Sequence, residues 1–136
     1  MADLIITAAS VVKGTGASVQ QGTAGAAVTA GQPVYLDSAT STYKLSDANS
    51  ATAAARAVDG IALHGSLTGQ PLQILTGGPL TLGAVLTAGV AYYLSNNAGG
   101  ICPVADLTAG SYPTILGFAG SASVLNVKLN AAGVSL

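Results

Sequence analysis

The sequence "GAVLTAGVAYYL" (residues 83–94) closely repeats an earlier stretch, "GAAVTAGQPVYL" (residues 25–36). Seven of the twelve aligned residues are identical at an offset of 58 positions, as between Gly25 and Gly83. A single strand unit with one apolar face cannot bury that face alone, whereas two copies packed together bury both. The repeat therefore predicts a β domain with two similar halves; chance similarity in a chain rich in Gly, Ala and Thr is the alternative.

Short stretches with the composition of β-strands lie within and around the repeat. Two of them alternate apolar and polar residues, which is typical of a strand with one buried face: "QPLQIL" (70–75) and "SVLNVKL" (123–129). Gly60 and Gly117 begin two related "G-x-A" strands, 57 positions apart. The further strand candidates are "DLIIT" (3–7), "AAVTA" (26–30), "PVYL" (33–36), "AVLTA" (84–88) and "AYYL" (91–94).

The expected fold is all-β: a compact β-sandwich or small β-barrel built from two similar halves, with at most one short helix. The halves span about residues 25–75 and 83–129 of a single β domain, residues 25–136. Residues 1–24 precede this domain as an N-terminal arm or an edge strand. The possible helix is the Ala-rich "SDANSATAAARA" (46–57), for which a flexible loop is the alternative.

The composition is apolar and nearly uncharged, which bounds the function. Of 136 residues, 50% are hydrophobic and 7% are charged, and the net charge is −1. Nucleic-acid binding needs a cluster of cations, and the four Lys and Arg residues are scattered. Low charge weakens repulsion between copies, so we expect a homo-oligomer with apolar surface buried between subunits. The single Cys102 cannot form an internal disulfide and is expected to be a small buried hydrophobe.

Membrane insertion and secretion are not expected from the sequence. Residues 60–105 carry no charge apart from a possible one at His64, but Pro71, Pro79 and Pro103 interrupt them. Asp3 stands where a signal peptide would carry basic residues. We therefore expect synthesis in the cytoplasm without a signal peptide and without a membrane span.

No motif predicts catalysis, a cofactor or a metal. His64 lies close to Asp59 and Ser66, but "HGSLTG" does not match the G-x-S-x-G nucleophile turn. "GTGASV" (14–19) lacks the third glycine and the following helix of a dinucleotide site. One His and one Cys cannot form a zinc site. The candidate calcium ligands are dispersed, and each is expected to cap a turn: Asp37, Asp47, Asp59 and Asp106.

The second half carries a series of small motifs that resembles a known family. Its order is Tyr-x-Leu-Ser (92–95), Gly-Gly-Ile (99–101), Ala-Asp-Leu (105–107) and Leu-Gly-x-Ala (116–119), followed by the alternating strand. The first half is similar through "TAGQPVYLD", "GIAL" and "GQPLQI". From about residue 25 to residue 136, the chain resembles small structural proteins of tailed bacteriophages, often described as head decoration or capsid cement proteins.

The resemblance implies a structural protein of the virion. Such a protein would bind the outside of the assembled head, bridge capsomers of the major capsid protein and stabilise the shell. It would form a homo-oligomer, with a trimer expected, and would need no cofactor. The alternative is a phage tail or fibre component, or a receptor- or glycan-binding β module.

The N-terminal stretch offers the one candidate site. Leu4, Ile5 and Ile6 form an apolar cluster ahead of a Gly, Ser, Thr and Gln-rich tether. They could belong to an edge strand of the domain's own sheet. The alternative is an arm that pairs with a neighbouring subunit or the shell by β-augmentation, with Ile5 filling a pocket.

Overall fold

The computed structural model describes residues 3–131 and residue 134. As predicted, the chain is all-β, and within the described part ten strands form one antiparallel sheet that curls into a half-barrel. The curled sheet is therefore closer to the small barrel than to the sandwich. The strands are β1 (Val12–Lys13), β2 (Ser18–Thr23), β3 (Pro33–Asp37), β4 (Thr42–Leu45), β5 (Gly60–Ala62), β6 (Pro71–Thr81), β7 (Ala91–Leu94), β8 (Ile101–Pro103), β9 (Thr114–Ala119) and β10 (Val124–Ala131).

The order of strands in the sheet is the same in both halves. The path runs β4-β3-β5-β6-β10-β9-β7-β8, and β1 and β2 also pair with β6. Thus β4, β3, β5 and β6 correspond to β8, β7, β9 and β10. The long strand β6 serves both halves, since its first part pairs with β2 and β5 and its second part pairs with β10.

The pairing registers of the two halves also correspond. Val34 pairs with Leu45 in the first half, and Tyr92 pairs with Pro103 in the second, with both partners displaced by 58 positions. The turns before these strands share a hydrogen bond as well. The Gly31 amide donates to the Ala62 carbonyl at 2.8 Å, and the Gly89 amide donates to the Ala119 carbonyl at 2.8 Å.

These two glycines explain why the "TAG" motif recurs. Gly31 has a φ of 91° and Gly89 a φ of 83°, which L side chains rarely adopt. The stretches just before them, 26–30 and 84–88, were expected to be strands, and that prediction is wrong. In the first stretch Val28 forms only an isolated bridge, to Ser66, and residues 84–88 form no bridge.

The closing strands have the predicted alternation. On β10, Leu125 and Val127 are buried, whereas Asn126 and Lys128 are exposed. The start of β6 follows the same rule, with buried side chains on either side of an exposed Gln73. One face of each strand thus contributes to the core.

The Ala-rich segment (46–57) is a loop with one short 3-10 helix, Ala53–Arg56. Its backbone bonds both within the segment and to the second half: the Asp47 amide donates to the Ala55 carbonyl at 2.8 Å, and the Ala48 amide donates to the Ser95 carbonyl at 3.0 Å. The described residues contain no α-helix. Residues 46–57 thus follow the loop alternative, which agrees with the expectation of at most one short helix; the other two 3-10 helices are Ala8–Ser10 and Val104–Asp106.

Two apolar clusters form the core. The larger joins the halves and includes Ile61 and Leu75 from the first half with Leu94 and Ile101 from the second. The smaller lies inside the first half, between its strands and residues 24–28. A bridge between Ala24 and Tyr43 links the end of β2 to β4 and closes this part of the sheet on itself.

Candidate interaction surfaces

The N-terminal segment (residues 3–7) lies against the second half of the molecule. The Leu4 amide donates to the Ile101 carbonyl and the Thr7 amide to the Gly83 carbonyl, both at 2.8 Å. The segment is not a β-strand, so the strand predicted for residues 3–7 is wrong. It instead fills the gap between the end of β6 and β8. Met1 and Ala2, which belong to the predicted arm, lie outside the described residues.

The first half needs no such segment. The residues that correspond to Gly83 and Ile101 are Gly25 and Tyr43, and the Gly25 amide donates directly to the Tyr43 carbonyl at 2.7 Å. The same position in the two halves is therefore closed in two ways. The first half closes on itself, and the second half is completed by the N-terminal segment.

The three predicted interface residues divide between the core and the surface. Leu4 and Ile6 are half-buried and pack against the larger core, whereas Ile5 is 89% exposed. Val85, on the repeat stretch, is 85% exposed and lines the same open hollow as Ile5. We call these two side chains the Ile5–Val85 patch. The segment is thus attached to its own domain and presents one apolar side chain outward.

Asp3 anchors the start of the segment, and no sequence motif predicted this. Its carboxylate accepts hydrogen bonds from the Ser95 hydroxyl at 2.6 Å and from the Asn97 side-chain amide at 3.1 Å. The partners lie more than ninety positions away, so only the fold brings them together. The hydrogen bonds place Asp3 in the structure of the second half.

A hollow of about 260 Å³ lies between the Ala-rich segment and the start of β9. Its walls are mainly small and apolar, and Arg56 contributes a cation. The Arg56 guanidinium carbon lies 3.9 Å from the centre of the Tyr112 ring, a cation–π contact. The Arg56 Nε is buried without a hydrogen-bond partner. The contact joins residues from the two halves and holds the Ala-rich segment in place.

The residues that could suggest a catalytic triad bond to the backbone. His64 Nε2 accepts a hydrogen bond from the Gln73 amide at 3.0 Å. The Ser66 hydroxyl donates to the Pro71 carbonyl at 3.0 Å, and the Asp59 carboxylate accepts from the Leu36 amide at 2.6 Å. Through these bonds each side chain stabilises a turn or a strand. The bonds do not connect a nucleophile to a base.

The Cys102 thiol is buried, and three of the aspartate carboxylates accept hydrogen bonds from backbone amides. Cys102 is free and buried as predicted, and burial, reinforced by Asp3 and Asp106, raises the pKa of its thiol to about 11. Asp37 and Asp47 accept hydrogen bonds from amides two positions ahead and so cap turns, as predicted. Asp59 instead bonds across to β3, which corrects the expectation of a turn cap. Over residues 3–131 and 134, no group of three potential metal ligands is found.

Comparisons with protein-family models, with curated proteins and with solved structures found no match to this chain. No helix in the described part of the chain is long and apolar enough to cross a bilayer.

Proposed function

We propose that this protein is a bacteriophage head decoration protein, which binds the outside of the assembled capsid and stabilises it. The resemblance in the second half and the similarity of the first half support this function. A small all-β domain with few charges also suits a protein that packs against other proteins, since few of its charges would lose water on binding. The proposed site of action is the virion surface, and the proposed partners are the major capsid protein and further copies of the chain.

Stabilisation would follow from mass action. A protein that binds the assembled shell and not its separated subunits shifts the equilibrium towards the shell. At a concentration about 100-fold above Kd, each independent site contributes about 2.7 kcal/mol. Copies that each contact two capsomers add to this effect, because the second contact forms at a high effective concentration.

The Ile5–Val85 patch is the observation that carries the proposal. Both side chains are almost fully exposed, and the Ile5 backbone lies between Leu4 and Ile6, which pack on the core. An apolar side chain on an anchored backbone segment suits a binding contact, because little side-chain and backbone freedom remains to be lost on binding. We propose that this patch faces the shell.

The tail or glycan-binding alternative receives less support from the tyrosines. Sugar-binding sites usually present an exposed aromatic ring on which a face of the sugar stacks. Here Tyr35, Tyr43 and Tyr92 are buried, and Arg56 lies over the ring of Tyr112. Tyr93 is half-buried on β7.

The proposal is tested by binding to purified heads that lack the protein. Wild type should bind in a saturable way and raise the temperature at which heads open. Ile5→Asp should bind more than tenfold more weakly, since burying an isoleucine is worth about 1.5–3 kcal/mol. Its unfolding should be unchanged, because Ile5 is exposed.

Leu67→Asp is the matched control, since Leu67 is 61% exposed on a turn of the first half. It should bind heads like wild type. Failure of the wild type to bind heads would refute the decoration function. Equal binding by Ile5→Asp and wild type would refute the assignment of the patch alone.

A further inference from the structure

One face of the sheet in the second half is turned away from the core. Residues that pair directly across antiparallel strands share a face. Phe118 pairs with Ala91 and Asn126, and Asn126 pairs with Pro79. Two residues further along β6, on the same face, Thr81 pairs with Val12 of β1 and with Val124 of β10. We call these apolar side chains the outer face: Val12, Pro79, Ala91, Phe118 and Val124.

The outer face is exposed at its largest side chains. Phe118 is 54% exposed and Val12 is 57% exposed, and the other three are half-buried. An aromatic side chain in the middle of a sheet is normally covered, because it has a large apolar area. A single exposed apolar residue would need no explanation, but two exposed and three half-buried ones that share one sheet face are the pattern of a binding surface.

The equivalent face of the first half is buried, and its contacts show what can cover such a face. The residues that correspond to Ala91, Phe118 and Asn126 are Pro33, Ile61 and Leu75. All three are buried, and Ile61 and Leu75 have no exposed surface.

The cover comes from the second half of the same chain. Ile61 and Leu75 belong to the core cluster that also contains Leu94 and Ile101. Inside the molecule, this face is therefore packed against another unit of this same fold.

Charge favours the same kind of partner. The five apolar side chains of the outer face are separated by the polar residues Thr81 and Asn126, and the one charged side chain on the same side of β10 is Lys128, two positions after Asn126. A protein surface with the usual quarter of charged residues would have to desolvate some of them on binding. This chain has nine charged residues in 136, so another copy can cover the face at little electrostatic cost.

We propose that the outer face is the self-association surface of this protein and that a second copy of the chain binds to it. In the trimer expected from the sequence, three outer faces would lie towards the symmetry axis with Phe118 near its equivalents. This inference does not rest on the decoration function, since it concerns the free protein in solution.

The test is the mass of the free protein by sedimentation at 1–100 µM. Wild type should have three times the chain mass of 13.1 kDa. Phe118→Asp should sediment as a monomer across this range with its circular dichroism retained, and the Leu67→Asp control should sediment like wild type. A wild type that stays monomeric, or a folded Phe118→Asp with wild-type mass, would overturn the proposal.

Two further variants guard against misfolding and against an indirect effect. Asn126→Arg places a charge on the same face at an exposed position and should also give a monomer, whereas wild-type mass would count against the surface. Phe118→Cys should give crosslinked subunits with a short bismaleimide, while wild type should not react at its buried Cys102. No crosslink in Phe118→Cys would contradict contact between copies at this residue.

Discussion

The two halves of the molecule share their strand order and registers but bury different surfaces. Ile61 in the first half is fully buried, whereas Phe118 at the corresponding position is 54% exposed. At the ends of β3 and β7 the difference reverses: Leu36 is 42% exposed and Leu94 is fully buried. A duplicated backbone therefore does not give duplicated surfaces. Each half has the environment that its neighbours in the fold create.

The N-terminal segment accounts for one part of this difference. It covers the second half at the position that the first half closes with its own Gly25–Tyr43 hydrogen bond. The Ala-rich segment accounts for another part, since Ala48 bonds to Ser95 at the end of β7. Both segments precede the second half in the chain, and within residues 3–131 and 134 neither of them buries Phe118 or Val12 on the outer face.

Deletion of residues 1–7 should have the largest effect and should affect the halves unequally. It removes two half-buried apolar side chains, three backbone hydrogen bonds and the two hydrogen bonds accepted by Asp3, so the free energy of unfolding should fall by at least about 2–4 kcal/mol. Hydrogen exchange should accelerate in β7 and β8 and remain slow in β3 and β4. Equal acceleration in both halves would contradict the role assigned to the segment.

The same variant separates the two interpretations of the N-terminal stretch. A folded variant that no longer binds heads would support an arm that contacts the shell. Full decoration by the truncated protein would rule the arm out. Failure to fold would favour a segment whose main role is to complete the domain.

Substituting alanine for Gly31 or Gly89 should also affect the two halves unequally, with a smaller change in the free energy of unfolding than the deletion causes. Both positions have positive φ, so each substitution should cost about 1–2 kcal/mol in strain. A Cβ at Gly31 would also lie 2.7 Å from Ile6, whereas a Cβ at Gly89 meets nothing within 4 Å. Gly31→Ala should therefore be the more destabilising by about 1–3 kcal/mol in urea unfolding.

The deletion variant provides the control for this pair. Without Ile6, Gly31→Ala and Gly89→Ala should cost the same. A difference that persists in the truncated protein would show that the contact with Ile6 is not its cause.

The smallest effect concerns an ion pair that is present in the first half. The Lys44 ammonium lies 2.7 Å from the Asp37 carboxylate, and the positions that correspond to them in the second half are Cys102 and Ser95. The hydrogen bond from Lys44, with one from the Ala39 amide, holds the pKa of Asp37 below its usual value of 3.8. This contribution to stability is present above the unfolded pKa and is lost as pH falls through the lower folded pKa.

Lys44→Met should therefore flatten the loss of stability of wild type below about pH 4, the range of an ordinary aspartate. Both groups are partly exposed, so the difference should be small and should shrink in high salt. The same acid slope in wild type and Lys44→Met would contradict the assignment to this pair.

The strands were predictable where pattern and repeat agreed. The stretches 33–36 and 91–94 and the alternating 123–129 all form strands, because their local composition and their place in the sheet favour the same structure. The stretches 26–30 and 84–88 have similar composition, but each leads into a glycine turn and neither forms a strand; the first makes a single bridge, from Val28 to Ser66. Local propensity was overruled there by backbone geometry.

The surfaces were harder to predict, because they depend on contacts between distant residues. Leu4, Ile5 and Ile6 are alike as apolar residues, and only the fold separates Ile5 from the other two. The exposure of Phe118 could not be read from "TILGFA", since its counterpart Ile61 lies in a similar motif and is buried. The Arg56–Tyr112 contact joins residues that no local motif connects.

Cryo-electron microscopy of virions that carry this chain tests the central claim most directly. The account predicts density for the protein on the outer surface of the head, with the Ile5–Val85 patch towards the shell and the outer faces of neighbouring copies in contact. Density for the protein on the tail or fibres, with none on the head lattice, would contradict the proposed function.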